Sequence, residues 1–345
     1  TNKVLHESEI NNNMWTKTNI QYFVDWKIEV IDKSNDEIVF QHFYNAQNKR
    51  IYIHFESSAI GDTLAWFPQI EEFRKKHNCH VVVSTFHNEW FENQYPELEF
   101  VTPGSEVFDL YAMYCIGWFY NEDRTVDYNK SPIEFKKHPL GETASSMLGV
   151  PYKEIRSKIN VPDKLRQIED KYVVIAPHAS AHAKYWNYPG GWQTIIDYLN
   201  NKGYKVVMLT SEKLGDAWHD SKLGGTLQNV IDKTGGHIDL VDRMIDIKNA
   251  SAFIGLGSGL SWLSWALGTK TIMISGFSYP YTEFKDCIRL FNEDKNVCSG
   301  CFNRHWLNPG DWDWCPDHKG TDKMFECTKT IEIPTVIAAI NEALT

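Results

Sequence analysis

The sequence lacks any excess of positive charge: 35 Lys and Arg stand against 45 Asp and Glu, a formal net charge of −10 over 345 residues. That balance opposes sequence-independent attraction to nucleic acid or anionic lipid, so an anionic ligand has to be held by a local site. A long uninterrupted apolar run is also missing. The most apolar long stretch, 254–277, carries five Gly, four Ser, two Thr and Lys270, and it fits strand, turn and helix better than a membrane span. Residues 1–19 are polar and lack the basic segment followed by an apolar one that marks a secretory signal. Internal repeats and low-complexity segments are absent as well. Together these absences lead to the expectation of a soluble, cytoplasmic protein with no membrane span and no nucleic-acid partner.

What is present supports a full-sized core, since 42% of residues are hydrophobic and 23% charged, and the length suits two domains. Aromatic residues make up 14% of the chain, a content that suits stacking on rings or sugar faces. Partial alternation of apolar and polar residues over 20–24 and 26–31, followed by a turn-like stretch at 32–36, predicts a β-hairpin. From residue 51 the grammar changes. A buried strand at 51–55, an amphipathic helix over about 62–76 and a strand at 80–84 form a parallel βαβ unit. The same order restarts beyond the polar, Pro-containing stretch 160–170, with strands predicted at 172–176, 205–209, 251–255 and 271–275 and helices over about 191–202 and 335–344. The expected division is a β-rich region 1–48, a first parallel α/β domain 49–165 and a second at 166–345, with the cleft between the two as the binding site.

Four motifs carry chemistry. Ser57-Ser58-Ala59-Ile60-Gly61-Asp62 stands where a buried strand turns into a helix, so Asp62 is projected at the mouth of the cleft, where a carboxylate can take a proton from a hydroxyl nucleophile. The competing reading is a carboxylate that only caps or charges the helix N-terminus. The loop from Ala176 to Trp186 combines small residues with Ser180 and Lys184, groups suited to phosphate oxygens. His178 and His182 in that loop are spaced as in a metal helix but lack the intervening acid of such motifs. Gly255-Leu256-Gly257-Ser258-Gly259-Leu260-Ser261-Trp262 offers helix N–H groups to an anion, although it is neither a Walker loop nor a dinucleotide fingerprint, and a tight packing turn would read the same.

Cysteines give the most specific local signal. Cys298-Ser299-Gly300-Cys301, Cys315 and Cys327 place four of the seven thiols within a 30-residue, loop-rich window that needs a staple to fold. In a reducing compartment four thiolates around one tetrahedral ion are the natural staple, closed and structural, with a redox Cys-x-x-Cys or unpaired core cysteines as alternatives. Thiolate chemistry alone admits iron and zinc equally. Cys79, Cys115 and Cys287 are expected to serve in packing. The segment is acidic and aromatic around residues 311–317, which argues against a nucleic-acid-binding zinc ribbon.

Laid out together, Ser-x-x-Gly-Asp at 58–62, Lys-x-Trp at 184–186 and Gly-Leu-Ser at 259–261 resemble glycosyltransferase family 9, the heptosyltransferases. The turn at 255–262 and the four-cysteine insertion are most similar to the bacterial autotransporter O-heptosyltransferases, which glycosylate serines of secreted β-helical adhesins. The resemblance implies a GT-B arrangement of two Rossmann-like domains behind a β-rich N-terminal region, with ADP-heptose as donor. It further implies Asp62 as general base and Lys184, helped by Ser180, neutralising the diphosphate. Glu212 would hold the ribose, Ser258, Gly259 and Leu260 would face the phosphates, and Ile238 would lie against adenine. It also implies iron at Cys298, Cys301, Cys315 and Cys327, a homo-oligomer, and an autotransporter adhesin passenger as acceptor.

One departure bears on the acceptor. Lipopolysaccharide heptosyltransferases carry Asp-Thr-Gly-Leu-Ser-His where this chain has Gly257-Ser258-Gly259-Leu260-Ser261-Trp262. Trp262 is therefore expected to reshape the sugar pocket, and the protein-glycosylating branch is favoured. The alternatives are a heptosyltransferase acting on a lipopolysaccharide core or other glycan, a non-catalytic metal-stapled nucleotide- or carbohydrate-binding protein, and a redox protein using Cys298 and Cys301.

Overall fold

Runs of β-branched and aromatic residues, most of them joined by helical crossovers, form two separate parallel sheets behind an antiparallel hairpin. The computed structural model describes every residue except Thr1, Asn2, Leu165, His237 and Ile238. The expected adenine contact of Ile238 therefore lies outside the described residues.

The hairpin is β1 (Lys27–Asp32) paired with β2 (Glu37–Phe43). Its turn is fixed by the Asp32 carboxylate, which accepts 2.8 Å hydrogen bonds from both the backbone N–H and the hydroxyl of Ser34. Residues 20–24, expected as part of this hairpin, are not a strand. Phe23 instead packs on Phe73, Tyr44 and His77 at ring separations of 6.1, 5.2 and 5.1 Å. A large aromatic gains more from that burial than from an exposed two-stranded ladder.

The first parallel sheet is built from β3 (Arg50–Phe55), α1 (Ile60–His77), β4 (His80–Ser84), β5 (Leu98–Phe100) and β6 (Ala112–Ile116), with α2 (Leu140–Met147) packed beside it. Its strand order is β5-β4-β3-β6. The second comprises β7 (Tyr172–Ala176), α3 (Gly191–Asn201), β8 (Lys205–Thr210), α4 (Ala217–Lys222), β9 (Ile231–Thr234) and α5 (Leu240–Lys248). It continues with β10 (Ala252–Leu256), α6 (Gly259–Ala266), β11 (Thr271–Ile274) and β12 (Ile288–Leu290). The short helices α7 (Cys301–Arg304) and α8 (Glu326–Lys329) bracket the cysteine-rich segment, and α9 (Ile333–Leu344), with Pro334 in its first turn, packs on α3. Strands β7 and β10 are buried along their whole length, the signature of a parallel strand covered on both faces.

The second sheet runs β12-β11-β10-β7-β8-β9, the doubly wound order in which the chain reverses direction between its first strand and its fourth. Ligands bind at such reversals, beyond the carboxyl ends of the strands. Here the reversal lies between β7 and β10, and in the first sheet between β3 and β6. Both crevices open where the two halves meet. One hydrophobic core continues from the first sheet through α1 and α6 to the near face of the second, and a second core fills the far face beneath α3 and α9. The contact of α1 with α6 is close because two positions carry no side chain. A Cβ on Gly61 would stand 3.1 Å from Trp262 Cδ1, and one on Gly259 would stand 2.9 Å from Ile60 Cβ. Trp262 is accordingly buried in this contact, packed on Phe284 at 5.0 Å.

Candidate active site

Asp62 lies in the first turn of α1, but it does not cap the helix, whose N-terminus has no side-chain cap. Its Oδ2 accepts hydrogen bonds from Ser57 Oγ at 2.6 Å and from Trp118 Nε1 at 2.8 Å. Ser57 follows β3 and Trp118 follows β6, so the two donors reach the carboxylate from both sides of the first sheet's reversal. Among the described residues no hydrogen bond falls on Oδ1, which leaves it for a substrate hydroxyl. Burial raises the Asp62 carboxyl above the ordinary range, while the bonds from Ser57 and Trp118 and the charge of Lys184 act the other way. A carboxylate held so is a better base near neutral pH than an exposed one.

Lys184 ends a tight turn, His182–Lys184, in the loop after β7. Its Nζ donates to Ser180 Oγ at 3.1 Å and stands 5.1 Å from the centre of the Phe277 ring. Burial pulls the ammonium below its usual range, and the carboxylates of Glu283 and Asp62 oppose that pull. Across the reversal the chain leaves β10 through Gly257 and Ser258 into α6, whose first turn has no side-chain cap either. Ser258, Gly259 and Leu260 remain partly open there, so uncapped N–H groups and the positive helix end are left accessible after β10. Three segments thus carry the site: the first turn of α1 with Asp62, the loop after β7 with Lys184, and the first turn of α6.

Glu212 lies at the carboxyl end of β8, on the neighbouring strand. Burial would raise its carboxyl, but hydrogen bonds to Oε2 from Thr210 Oγ1 at 2.5 Å and Ser211 Oγ at 2.8 Å outweigh it and hold the group below the usual range. The two loop histidines separate. His182 Nδ1 pairs with Asp313 Oδ1 at 2.9 Å, whereas His178 is buried with neither ring nitrogen bonded and is pushed down to about 4 by burial.

The cysteines of residues 298–327 are all unbridged. Cys301 and Cys315 share one small core with Ala183, Phe277, Trp314 and Phe325, and Cys327 is buried as well. Burial, then the neighbouring thiols, push Cys298 up to about 12, and burial also lifts Cys301 to about 11. A cation is what such a set requires, because gathered thiolates without one repel. Among the described residues the group of candidate ligand atoms all within 4.8 Å of one another is Cys298, His318 and Glu326. Of the four expected thiols only Cys298 belongs to that group, and its other members, His318 and Glu326, were not singled out by spacing. Of the remaining thiols, Cys79 is buried and Cys115 and Cys287 are partly so.

This segment also touches the cleft. Asp313 holds His182 beside Lys184, Asn303 Nδ2 donates to Lys136 O at 2.6 Å, and Phe302 packs on Trp118 at 6.2 Å. Trp118 and Glu283 were missed by sequence reasoning. Neither had a local signal, since the strand before Trp118 carries no continuous apolar run.

The chain matches the family model of glycosyltransferase family 9 (heptosyltransferase) over residues 118–303. It is 33% identical to the autotransporter heptosyltransferase BAHTCr of Citrobacter rodentium, over 96% of this chain and 81% of that protein. It also resembles the crystal structure of the dodecameric, iron-containing heptosyltransferase TibC of enterotoxigenic Escherichia coli in complex with ADP-D-β-D-heptose. That likeness has a TM-score of 0.86 and 31% identity and covers 96% of this chain and 86% of the other. A further relative, at 29% identity over 97% of this chain and 78% of its own length, is the inactive autotransporter heptosyltransferase BimC of Burkholderia thailandensis. With its doubly wound sheets meeting at Asp62 and Lys184, the chain belongs to glycosyltransferase family 9, the heptosyltransferases.

Proposed function

We propose that the protein transfers heptose from ADP-heptose to serine hydroxyls of a bacterial autotransporter adhesin with inversion at the anomeric carbon. The observation that carries this reading is the placement of Asp62, bonded by Ser57 and Trp118, at the head of α1 where that helix packs on α6. In the reaction Asp62 Oδ1 takes the proton of the acceptor hydroxyl. The hydroxyl oxygen forms its bond to the anomeric carbon from the face opposite the diphosphate, and the bond from that carbon to the diphosphate oxygen breaks, its electron pair leaving with ADP. Lys184, Ser180 and the amides of Ser258, Gly259 and Leu260 neutralise the charge that develops on the leaving group. Glu212 holds the ribose hydroxyls. The first domain, 49–165, supplies the acceptor side and the second, 166–345, the donor side. Cys298, Cys301, Cys315 and Cys327 hold a structural iron, a reading supported by the iron-containing relative. We place the protein in the cytoplasm, as a homo-oligomer.

An inactive relative makes a binding protein without turnover the second reading. The retained base geometry favours an enzyme. Intact-mass analysis of an autotransporter passenger after incubation with the protein and ADP-heptose tests it. Heptose-sized additions that require both are expected. A passenger left unmodified under conditions of demonstrated ADP-heptose binding would overturn protein glycosylation, and transfer to a lipopolysaccharide core instead would establish the glycan acceptor.

A further inference from the structure

The two halves of the chain are also joined by the segment that carries the cysteines. Helix α7 is seated on the second half, where Gly300 N–H donates to Gly276 O at 2.9 Å and Phe302 N–H to Phe277 O at 3.0 Å, both acceptors lying beyond β11. From that seat the Asn303 side chain makes three bonds. Its Oδ1 accepts from Tyr279 N–H at 2.7 Å, and its Nδ2 donates to Thr282 Oγ1 at 2.9 Å and, 167 residues back along the chain, to Lys136 O at 2.6 Å. The same carbonyl accepts from the Tyr281 hydroxyl at 3.1 Å, while Lys136 Nζ donates to His305 O at 3.1 Å. Lys136 belongs to a short turn of the first half, Phe135–Lys137. Phe135 of that turn is buried edge-on against Trp118 at 4.8 Å, and Phe302 reaches the same indole at 6.2 Å. Trp118 in turn donates to Asp62 Oδ2.

We propose that Phe302 and Asn303 are positioning residues of the general base. From the second half they brace the indole of Trp118, Asn303 through the Lys136 turn and Phe302 by direct contact, so that its N–H stays on Asp62. The proposal rests on the reading of Asp62 as base and adds what orients the donor to that base. Trp118 stands in irregular backbone beyond β6, and an indole held by one hydrogen bond is free to turn about its side-chain torsions until packing removes that freedom. Trp66 of α1 supplies one wall at 5.7 Å. The other two walls, Phe135 and Phe302, are the ones that α7 sets. A contact that only joined the halves would have no reason to converge on this ring. The ion pair of Arg156 with Asp286, elsewhere on the seam, joins them without touching it.

The test reads Asp62 directly, in the metal-loaded protein without substrate. Carbodiimide coupling of its carboxyl, which follows the protonated form, is measured against pH by peptide mass spectrometry. The charges that face Asp62 are those of Lys184 and Glu56, and no variant in the set alters either. Trp118→Phe should move the midpoint to higher pH by about one unit, because a hydrogen bond to the carboxylate is lost. Asn303→Ala and Phe302→Leu should each move it in the same direction. The double variant of Asn303→Ala with Trp118→Phe should go no further than Trp118→Phe, since both changes act on one bond. Arg156→Ala, which loosens the seam away from Trp118, should leave the midpoint in place. A midpoint unchanged in both Asn303→Ala and Phe302→Leu, one shifted as far by Arg156→Ala, or a double variant that sums the two shifts would each overturn the proposal. Heptose transfer to a passenger by the wild type is measured in parallel. If none occurs while the variants still shift the midpoint, the general-base reading fails and the bracing of Trp118 stands.

Discussion

Replacing Asp62 by Asn should move activity and stability in opposite directions. Asn keeps the size of the side chain, and its carbonyl oxygen still accepts from Ser57 Oγ and Trp118 Nε1, at 2.6 and 2.8 Å in the wild type. What disappears is the charge and the capacity to take a proton. Removal of a positioned general base costs about 10²–10⁴ in rate, or roughly 3–5 kcal/mol of barrier. Stability follows from the direction of the pKa displacement. Burial raises the folded carboxyl above its ordinary value of 3.8. Its contribution is therefore fully favourable at pH below that of the unfolded chain and is lost as pH rises through the folded value. At neutral pH the wild type carries a desolvated anion that the Asn variant does not, so the variant should melt higher, by a margin that narrows as the solution is acidified. Initial transfer rates at saturating donor, with melting temperatures at pH 5 and pH 8, measure both effects. A variant that melts lower at pH 8, or that retains transfer within about tenfold of wild type, would refute the assignment of Asp62 as a strained base.

Trp118→Phe keeps the ring but removes the donor to Asp62 Oδ2, so the carboxyl should rise further and the acid limb of the kcat/KM profile should move to higher pH. Because a hydrogen bond to a charged group is worth about 1.5–3 kcal/mol, transfer on that limb should fall by about tenfold or more, with little change in alkaline solution. Cys301→Ser should lower the iron content measured by elemental analysis and the melting temperature together, because Cys301 is buried in the small core of this segment, where a hydroxyl replaces a thiol without a partner. Through Asp313 and His182 the same variant should weaken ADP binding by calorimetry, whereas iron loss with unchanged ADP affinity would show that the segment does not order the phosphate loop.

Sequence patterning reached as far as local physics extends. The strands at 80–84 and 172–176 were legible because a strand buried on both faces is a continuous β-branched run. The positions of Asp62 and Lys184 were legible because each follows a strand through a short loop of small residues. Strand β6, Ala112–Ile116, offers no such run, so Trp118 stayed hidden although it bonds Asp62 from 56 residues away. Residues 20–24 misled because their alternation is shared by a strand and by a segment laying two aromatics on a core. Cysteine spacing singles out four thiols but not His318 and Glu326, which join Cys298 through the fold of a loop with no regular period.

Topology links the parts that were legible to those that were not. In each sheet the crevice lies where the strand order reverses, and one charged side chain is carried beyond the strand at that reversal, Asp62 after β3 and Lys184 after β7. Its supporting partner comes from the strand on the other side, Trp118 after β6 and the Gly257 turn after β10. The strand that follows β10 in sequence then adds Glu283 beneath that turn. A residue's distance along the chain from its partner is therefore set by the length of one crossover. Local periodicity cannot see across that interval, and for that reason the first charge at each reversal was readable and its counterpart was not.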